Sequence, residues 1–247
     1  MKKLGLIGYP LTHSFSARYF AEKFHNEFIE GWDYQLYPLL SVDELPALIK
    51  ANPGICGLNV TIPYKEQVIQ FIHKMDSTAK KTGAVNTIKI NGNKLTGYNT
   101  DITGFKKSLT EHLRKHHDFA MVLGTGGAAK AVCFTLDELK IPFISVSRKP
   151  NEKSIIPYAQ VDDGLIEKAK LIINTTPLGM FPNANSCPDL PYSAITKKHL
   201  LFDLVYNPQE TVFMKKGTEK GAAVVNGMDM LKYQAEAAWK IWTTSCS

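Results

Sequence analysis

Residues 119–131 read FAMVLGTGGAAKA, a short apolar run that breaks into a glycine-rich turn and continues as a helix-forming stretch to Lys140. Gly124-Thr125-Gly126-Gly127-Ala128-Ala129 fits the pattern Gly-x-Gly-x-x-Gly/Ala in the context it requires, after a strand and opening a helix. The first glycine permits the tight turn, the second lets backbone approach a pyrophosphate, and Ala129 is small enough for the helix to lie close to the sheet. Free N–H groups in the first turn then face the phosphates. A glycine-rich strand-to-helix turn with no ligand would read the same way. Downstream, the runs at 141–148, 171–177, 200–206 and 222–227 are short and strongly apolar, with weaker helix signals at 164–170 and 209–220 between the later ones. Strands apolar on both faces belong to a parallel sheet covered by helices, so this half is α/β.

Upstream, strand and helix signals also alternate. Residues 4–9 read as a strand, 16–29 as a helix with Phe20, Phe24, Glu27 and Phe28 at helical spacing, and 33–39 as a strand. Ser41 with Glu44 three residues later forms a capping box. A β-rich run at 54–63 ends at Pro63, and 64–75 places Val68, Ile72 and Met75 on one helical face. Residues 86–100 form a hairpin with Asn91-Gly92 at its tip. The chain closes on a helix at 228–242, whose Leu231, Ala235, Ala238 and Trp242 make one stripe. The expected organisation is a domain over 1–100, a second over 101–227, and the C-terminal helix (228–247) returning to the first.

With 247 residues, 44% hydrophobic and 21% charged, the composition excludes an intrinsically disordered chain. The apolar runs stop far short of the roughly 20 residues needed to cross a bilayer, so no membrane association is expected. The lysines at 2 and 3 precede an apolar run too short for a signal peptide. Cys56, Cys133, Cys187 and Cys246 show neither zinc-site nor disulfide spacing. A reduced cytoplasmic protein without a metal is the expectation. The net charge of +6 favours anionic partners, but its basic clusters do not interleave with aromatics as a nucleic-acid platform would.

Three polar segments of the first half stand out. Ser14 and Ser16 place two hydroxyls where both can bind one anionic group, although Ser16 also serves as a simple helix cap. Pro63 suits the first position of a helix and would put Lys65 in its first turn. The positive end of the helix dipole disfavours an ammonium there, so a lowered pKa and proton exchange near neutrality are expected; an exposed lysine bending into water is the alternative. Asn86-Thr87 and Asn99-Thr100-Asp101 complete the set. Asp101 is either a first-turn acid or a carboxylate that holds Lys65, and composition does not choose. In the second half, the strand after the glycine turn ends in Ser147-Arg148-Lys149, with no acid to accept a ribose 2′-hydroxyl. Arg148 suits a 2′-phosphate, which points to NADP rather than NAD.

Taken in order along nearly the whole chain, HSFS (13–16), NVTIPYK (59–65), GAVNT (83–87), NTD (99–101), GTGGAAKA (124–131), NTTPLGM (174–180), DLVYNP (203–208) and NGMDMLKYQ (226–234) resemble the shikimate dehydrogenase family. The resemblance implies two α/β domains facing across a cleft that opens and closes, with NADP on the second. It implies reversible NADPH-dependent reduction of 3-dehydroshikimate to shikimate, in the route to chorismate and the aromatic amino acids, by a monomer or homodimer. It makes Lys65 the proton donor and acceptor and Asp101 its partner. It gives Ser14 and Ser16 the substrate carboxylate, and Thr61, Asn86, Asp101 and Gln234 the ring hydroxyls or the reacting oxygen, with Tyr206 at the same pocket. Gly124, Thr125, Gly126, Gly127 and Ala128 cradle the pyrophosphate, Ser147, Arg148 and Lys149 take the adenosine phosphate, and Leu204 and Gly227 line the nicotinamide region. The chain departs from the usual pattern at Ser16-Ala17, at Tyr19-Phe20 and at Ser147-Arg148-Lys149. The rivals are a quinate/shikimate dehydrogenase using NAD or NADP, and a non-catalytic ligand sensor on the same fold.

Overall fold

The computed structural model describes residues 1–11, 14–150 and 154–244. His13 and Cys246 lie outside the described residues, as does the end of the C-terminal helix expected over 228–247. Contacts divide the chain into one unit of Met1–Thr103 with the residues from Gln234 onward, and a second unit of Gly104–Tyr233.

The first unit is built on a six-stranded sheet in the order β2-β1-β3-β5-β6-β4. Its strands are β1 (Lys2–Gly8), β2 (Trp32–Pro38), β3 (Ile55–Val60), β4 (Lys74–Met75), β5 (Thr87–Asn91) and β6 (Lys94–Tyr98). β1 pairs with β2 and β3 in parallel, whereas β5 runs antiparallel to both β3 and β6, so the sheet is mixed. The hairpin forms, but Asn91 pairs with Lys94 and the two-residue turn is Gly92-Asn93, one residue later than the expected Asn91-Gly92 tip. Helices α1 (Phe15–Asn26), α2 (Leu45–Ala51) and α3 (Ser77–Thr82) belong to this unit, and the Ser41–Glu44 capping box forms. Helix α8 (Met228–Thr243) ends here. Its Ala235, Ala238 and Trp242 pack with Leu4 and Phe20, and the Trp242 indole donates to the Ile88 carbonyl at 2.9 Å.

Two helical expectations are corrected. Helix α1 stops at Asn26, and Phe28, expected within it at helical spacing, adopts a left-handed φ of 53° and stands 89% exposed. Residues 64–75 do not make one helix. A 3₁₀ turn covers Gln67–Phe71, and Lys74–Met75 joins β6 as an edge strand. His73 and Asp76 donate backbone bonds to Leu95 and Gly97, so pairing across the sheet overrides a run whose apolar spacing fits either structure.

The second unit carries β7 (Ala120–Leu123), β8 (Phe143–Val146), β9 (Ile155–Ile156), β10 (Leu171–Asn174), β11 (Leu200–Asp203) and β12 (Ala223–Val225). Their order is β12-β11-β10-β7-β8-β9, and every pairing is parallel. β7, β10 and β11 are fully buried along their lengths, as their unbroken apolar sequences demand. Helices α4 (Thr100–Thr110), α5 (Gly127–Glu138), α6 (Asp163–Lys168) and α7 (Val212–Glu219) connect and cover the strands. The strand order reverses between β7 and β10, the place where open α/β sheets bind ligands at the carboxyl ends of their strands. No helix is long and apolar enough to cross a membrane among the described residues.

Candidate active site

The first unit gathers its polar residues where β3 ends, β5 begins and α4 starts. Lys65 follows the Thr61–Tyr64 turn, in which Tyr64 N–H donates to the Thr61 carbonyl at 2.9 Å. It precedes the 3₁₀ turn rather than sitting in the first turn of a helix, so the dipole argument for it loses its premise. Its position is set by backbone instead, because the Lys65 carbonyl accepts from Val85 N–H at 2.7 Å. Its ammonium lies 2.7 Å from Asp101 Oδ2, with the lysine side chain 20% and the aspartate side chain 9% exposed. Asp101 is therefore both a first-turn acid of α4 and the partner of Lys65.

Asn86 fixes the other carboxylate oxygen, donating from Nδ2 to Asp101 Oδ1 at 2.8 Å. Its own Oδ1 accepts from Thr100 N–H at 2.7 Å and from the Thr87 hydroxyl at 3.0 Å. Asn99 Oδ1 accepts from Asp101 N–H at 3.2 Å, so α4 starts on a side-chain cap that also orients the acid. Gln234, 6% exposed, receives the Thr100 hydroxyl at 3.5 Å. Thr61 is half-buried and directly follows β3. A lysine–aspartate pair held by amides and ringed by hydroxyls can move a proton to and from an oxygen of a polyhydroxylated ligand.

Ser14, not Ser16, caps α1, accepting from Ala17 N–H at 3.4 Å. Both serines are half-buried. Tyr34 and Asn59 are residues to which the sequence assigned no role. Tyr34 donates to Asn59 Oδ1 at 2.8 Å, and Asn59 is 3% exposed. The signal for Asn59 was its place at the head of NVTIPYK; nothing in the alternating pattern of β2 marks Tyr34.

Tyr206, Leu204 and Gly227 belong to the second unit. Burial pushes the Tyr206 hydroxyl above its ordinary range. Leu204 and Gly227 touch through their backbones, since a Cβ at Gly227 would stand 2.1 Å from the Leu204 carbonyl oxygen. The glycine turn emerges from β7 at the switch point. Gly124 has a φ of +109° and lies against Thr175, so only glycine fits.

The residues present fit a dinucleotide phosphate. Gly126 is the N-cap of α5 and gives its free N–H groups no side-chain cap, and the first turn, with Gly127 and Ala128, carries no acid. A Cβ at Gly126 would meet nothing within 4 Å, which leaves the approach to those donors open. At the end of the neighbouring β8, Ser147 accepts from Lys149 N–H at 3.3 Å, and Arg148 and Lys149 are exposed. Among the described residues no cluster of His, Cys, Asp and Glu could hold a metal.

Comparison with known proteins agrees along the chain. A family model described as the shikimate dehydrogenase substrate binding domain matches residues 6–88. The shikimate dehydrogenase (NADP(+)) of Methanococcus maripaludis is 38% identical, with 98% of this chain and 91% of the relative covered. A shikimate dehydrogenase solved in complex with NADP+ superimposes with a TM-score of 0.87 at 33% identity, covering 98% of this chain and 90% of the other. The Thermus thermophilus shikimate 5-dehydrogenase, solved with NADP(H) and shikimate, gives 0.87 at 29% identity, covering 98% and 94%.

Proposed function

The chain belongs to the shikimate dehydrogenase family, and we propose that Lys65 and Asp101 are the pair that moves the proton when it interconverts 3-dehydroshikimate and shikimate. It is an NADP-dependent oxidoreductase acting on a CH–OH group. NADP, when bound, supplies the hydride acceptor and, reduced, the donor.

The observation that carries the proposal is the 2.7 Å contact between the Lys65 ammonium and Asp101, whose second oxygen is tied to Asn86. In the reducing direction, the Lys65 ammonium gives a proton to the oxygen that leaves the carbonyl state. In the oxidising direction, the amine takes the hydroxyl proton back. Asp101 holds the lysine in place and balances its charge throughout, and Asn86 keeps the carboxylate from turning away. Ser14 and Ser16 hold the substrate carboxylate, while Thr61, Asn86 and Gln234 meet ring hydroxyls. A site made to pair with hydroxyls rejects analogues lacking them by large factors.

The substrate then belongs to residues 1–100 with the helix from 228, and NADP to 101–227. Arg148 and Lys149, aided by Ser147, take the 2′-phosphate, and the open first turn of α5 takes the pyrophosphate. Leu204 and Gly227 flank the nicotinamide. A cytoplasmic monomer or homodimer that binds no nucleic acid completes the proposal.

The test is absorbance of NADPH on mixing the protein with shikimate and NADP, run beside NAD and quinate. NADPH formation on shikimate is expected; a clear preference for NAD or quinate overturns the cofactor or substrate assignment. Loss of turnover in Lys65→Ala with shikimate still bound supports the proton role, and full turnover in that variant ends it.

A further inference from the structure

The first unit contains a chain of hydrogen bonds that runs in one donor direction. Tyr34, reaching across β1 from β2 to β3, donates to Asn59 Oδ1 at 2.8 Å. Asn59 Nδ2 donates to the Thr87 hydroxyl at 3.2 Å and to the Asn86 carbonyl at 3.3 Å. Thr87 donates to Asn86 Oδ1 at 3.0 Å, and Asn86 Nδ2 donates to Asp101 Oδ1 at 2.8 Å. Each donor points to the next group, ending at the carboxylate that holds Lys65.

We propose that Tyr34 is a positioning residue that sets the alignment of Asp101 and Lys65 through Asn59, Thr87 and Asn86. The proposal rests on the role given above to the Lys65–Asp101 pair. Head-to-tail hydrogen bonds polarise one another, so a change at one end is felt at the other. Asn59 is buried and has no alternative acceptor arrangement: turning its amide would set its oxygen against the Asn86 carbonyl. The Tyr34 ring is held separately by stacking on Phe20, with centroids 4.6 Å apart, so the hydroxyl can be removed while the packing stays.

The experiment is Tyr34→Phe, examined by steady-state kinetics and by NMR of side-chain amides in the full-length protein. The coupling predicts a fall in kcat of about tenfold, from misalignment of the reacting groups, with the KM for NADP unchanged. It also predicts that the Asn86 side-chain amide signals shift, although Tyr34 does not touch Asn86. A purely structural hydroxyl would lower the melting temperature and leave both kcat and those signals as in the parent; that result overturns the proposal. Should the parent protein fail to turn over shikimate, the functional assignment falls while the Asn86 signals still decide whether the coupling exists.

Discussion

Each unit contains a buried aspartate at the centre of a polar network, and the two differ in what faces the carboxylate. Asp101 meets an ammonium on one oxygen and an amide on the other. Asp203, at the end of β11, is 0% exposed and has no ion pair among the described residues. It accepts instead from the Thr211 hydroxyl at 2.6 Å, Asn174 Nδ2 at 2.9 Å and Val205 N–H at 3.0 Å. The Thr211 hydroxyl oxygen also caps α7, and Asn174 Oδ1 accepts from Thr176 N–H at 3.0 Å. Burial pushes the Asp203 carboxyl up to about 6. One network ends in a partly exposed cation that a ligand can reach, and the other closes on itself and pins the loops after β10 and β11. A buried carboxylate is thus no guide to chemistry until its cation and its access are known.

The sharpest break in this comparison is Lys65→Ala. Turnover should fall by about 10²–10⁴, the range of a lost proton-transfer group, with shikimate affinity far less changed; NADPH absorbance and calorimetry read the two. Asp203→Ala should do the opposite. Stability should drop by about 3 kcal/mol in urea unfolding, because the buried donors lose their common acceptor, while kcat measured below the melting temperature falls far less than in Lys65→Ala. Arg148→Gln should raise the KM for NADP by at least about tenfold, the worth of a charge-assisted bond, and leave that for NAD nearly unchanged. An equal effect on both cofactors would remove Arg148 from the 2′-phosphate.

The smallest effect is on pH. Asp203 is raised from 3.8 to about 6, so the folded state binds its proton more tightly than the unfolded state does. Its contribution to stability therefore improves as pH falls through about 6 towards 3.8 and is lost as pH rises. Between pH 7 and pH 5 the gain amounts to about 1 kcal/mol. Unfolding of the parent and of Asp203→Asn at both pH values isolates it, since the variant lacks the titration; equal slopes would contradict the shift.

Local chemistry was legible wherever a feature is satisfied within a few residues. The Ser41–Glu44 box and the turn from β7 into α5 form where their residues announce them, and the hairpin forms with its turn only one residue beyond the expected place. The misread segments are those whose partners lie far off in sequence. The run at 64–75 is helical by spacing, yet it makes a 3₁₀ turn and ends at Lys74–Met75 in an edge strand, because β6 offers open backbone groups. Lys65 was singled out for a helix end that does not exist, and finds its acid at Asp101 instead. Tyr34 went unmarked because a tyrosine in a strand is ordinary until Asn59 is known to sit one strand beyond its neighbour.

By itself, the sequence determined the α/β class, the strand-to-helix turn suited to a dinucleotide, and the residue types of a hydroxyl-binding site, because these follow from periodicity, turn sterics and side-chain chemistry. Only the tertiary structure decided that the first sheet is mixed, that Asp101 faces Lys65, and that Tyr34, Asn59, Thr87 and Asn86 lie on one hydrogen-bonded path. Those facts depend on which strands pair and in what register, and pairing is settled by the burial and hydrogen-bond satisfaction of the whole sheet rather than by any one segment.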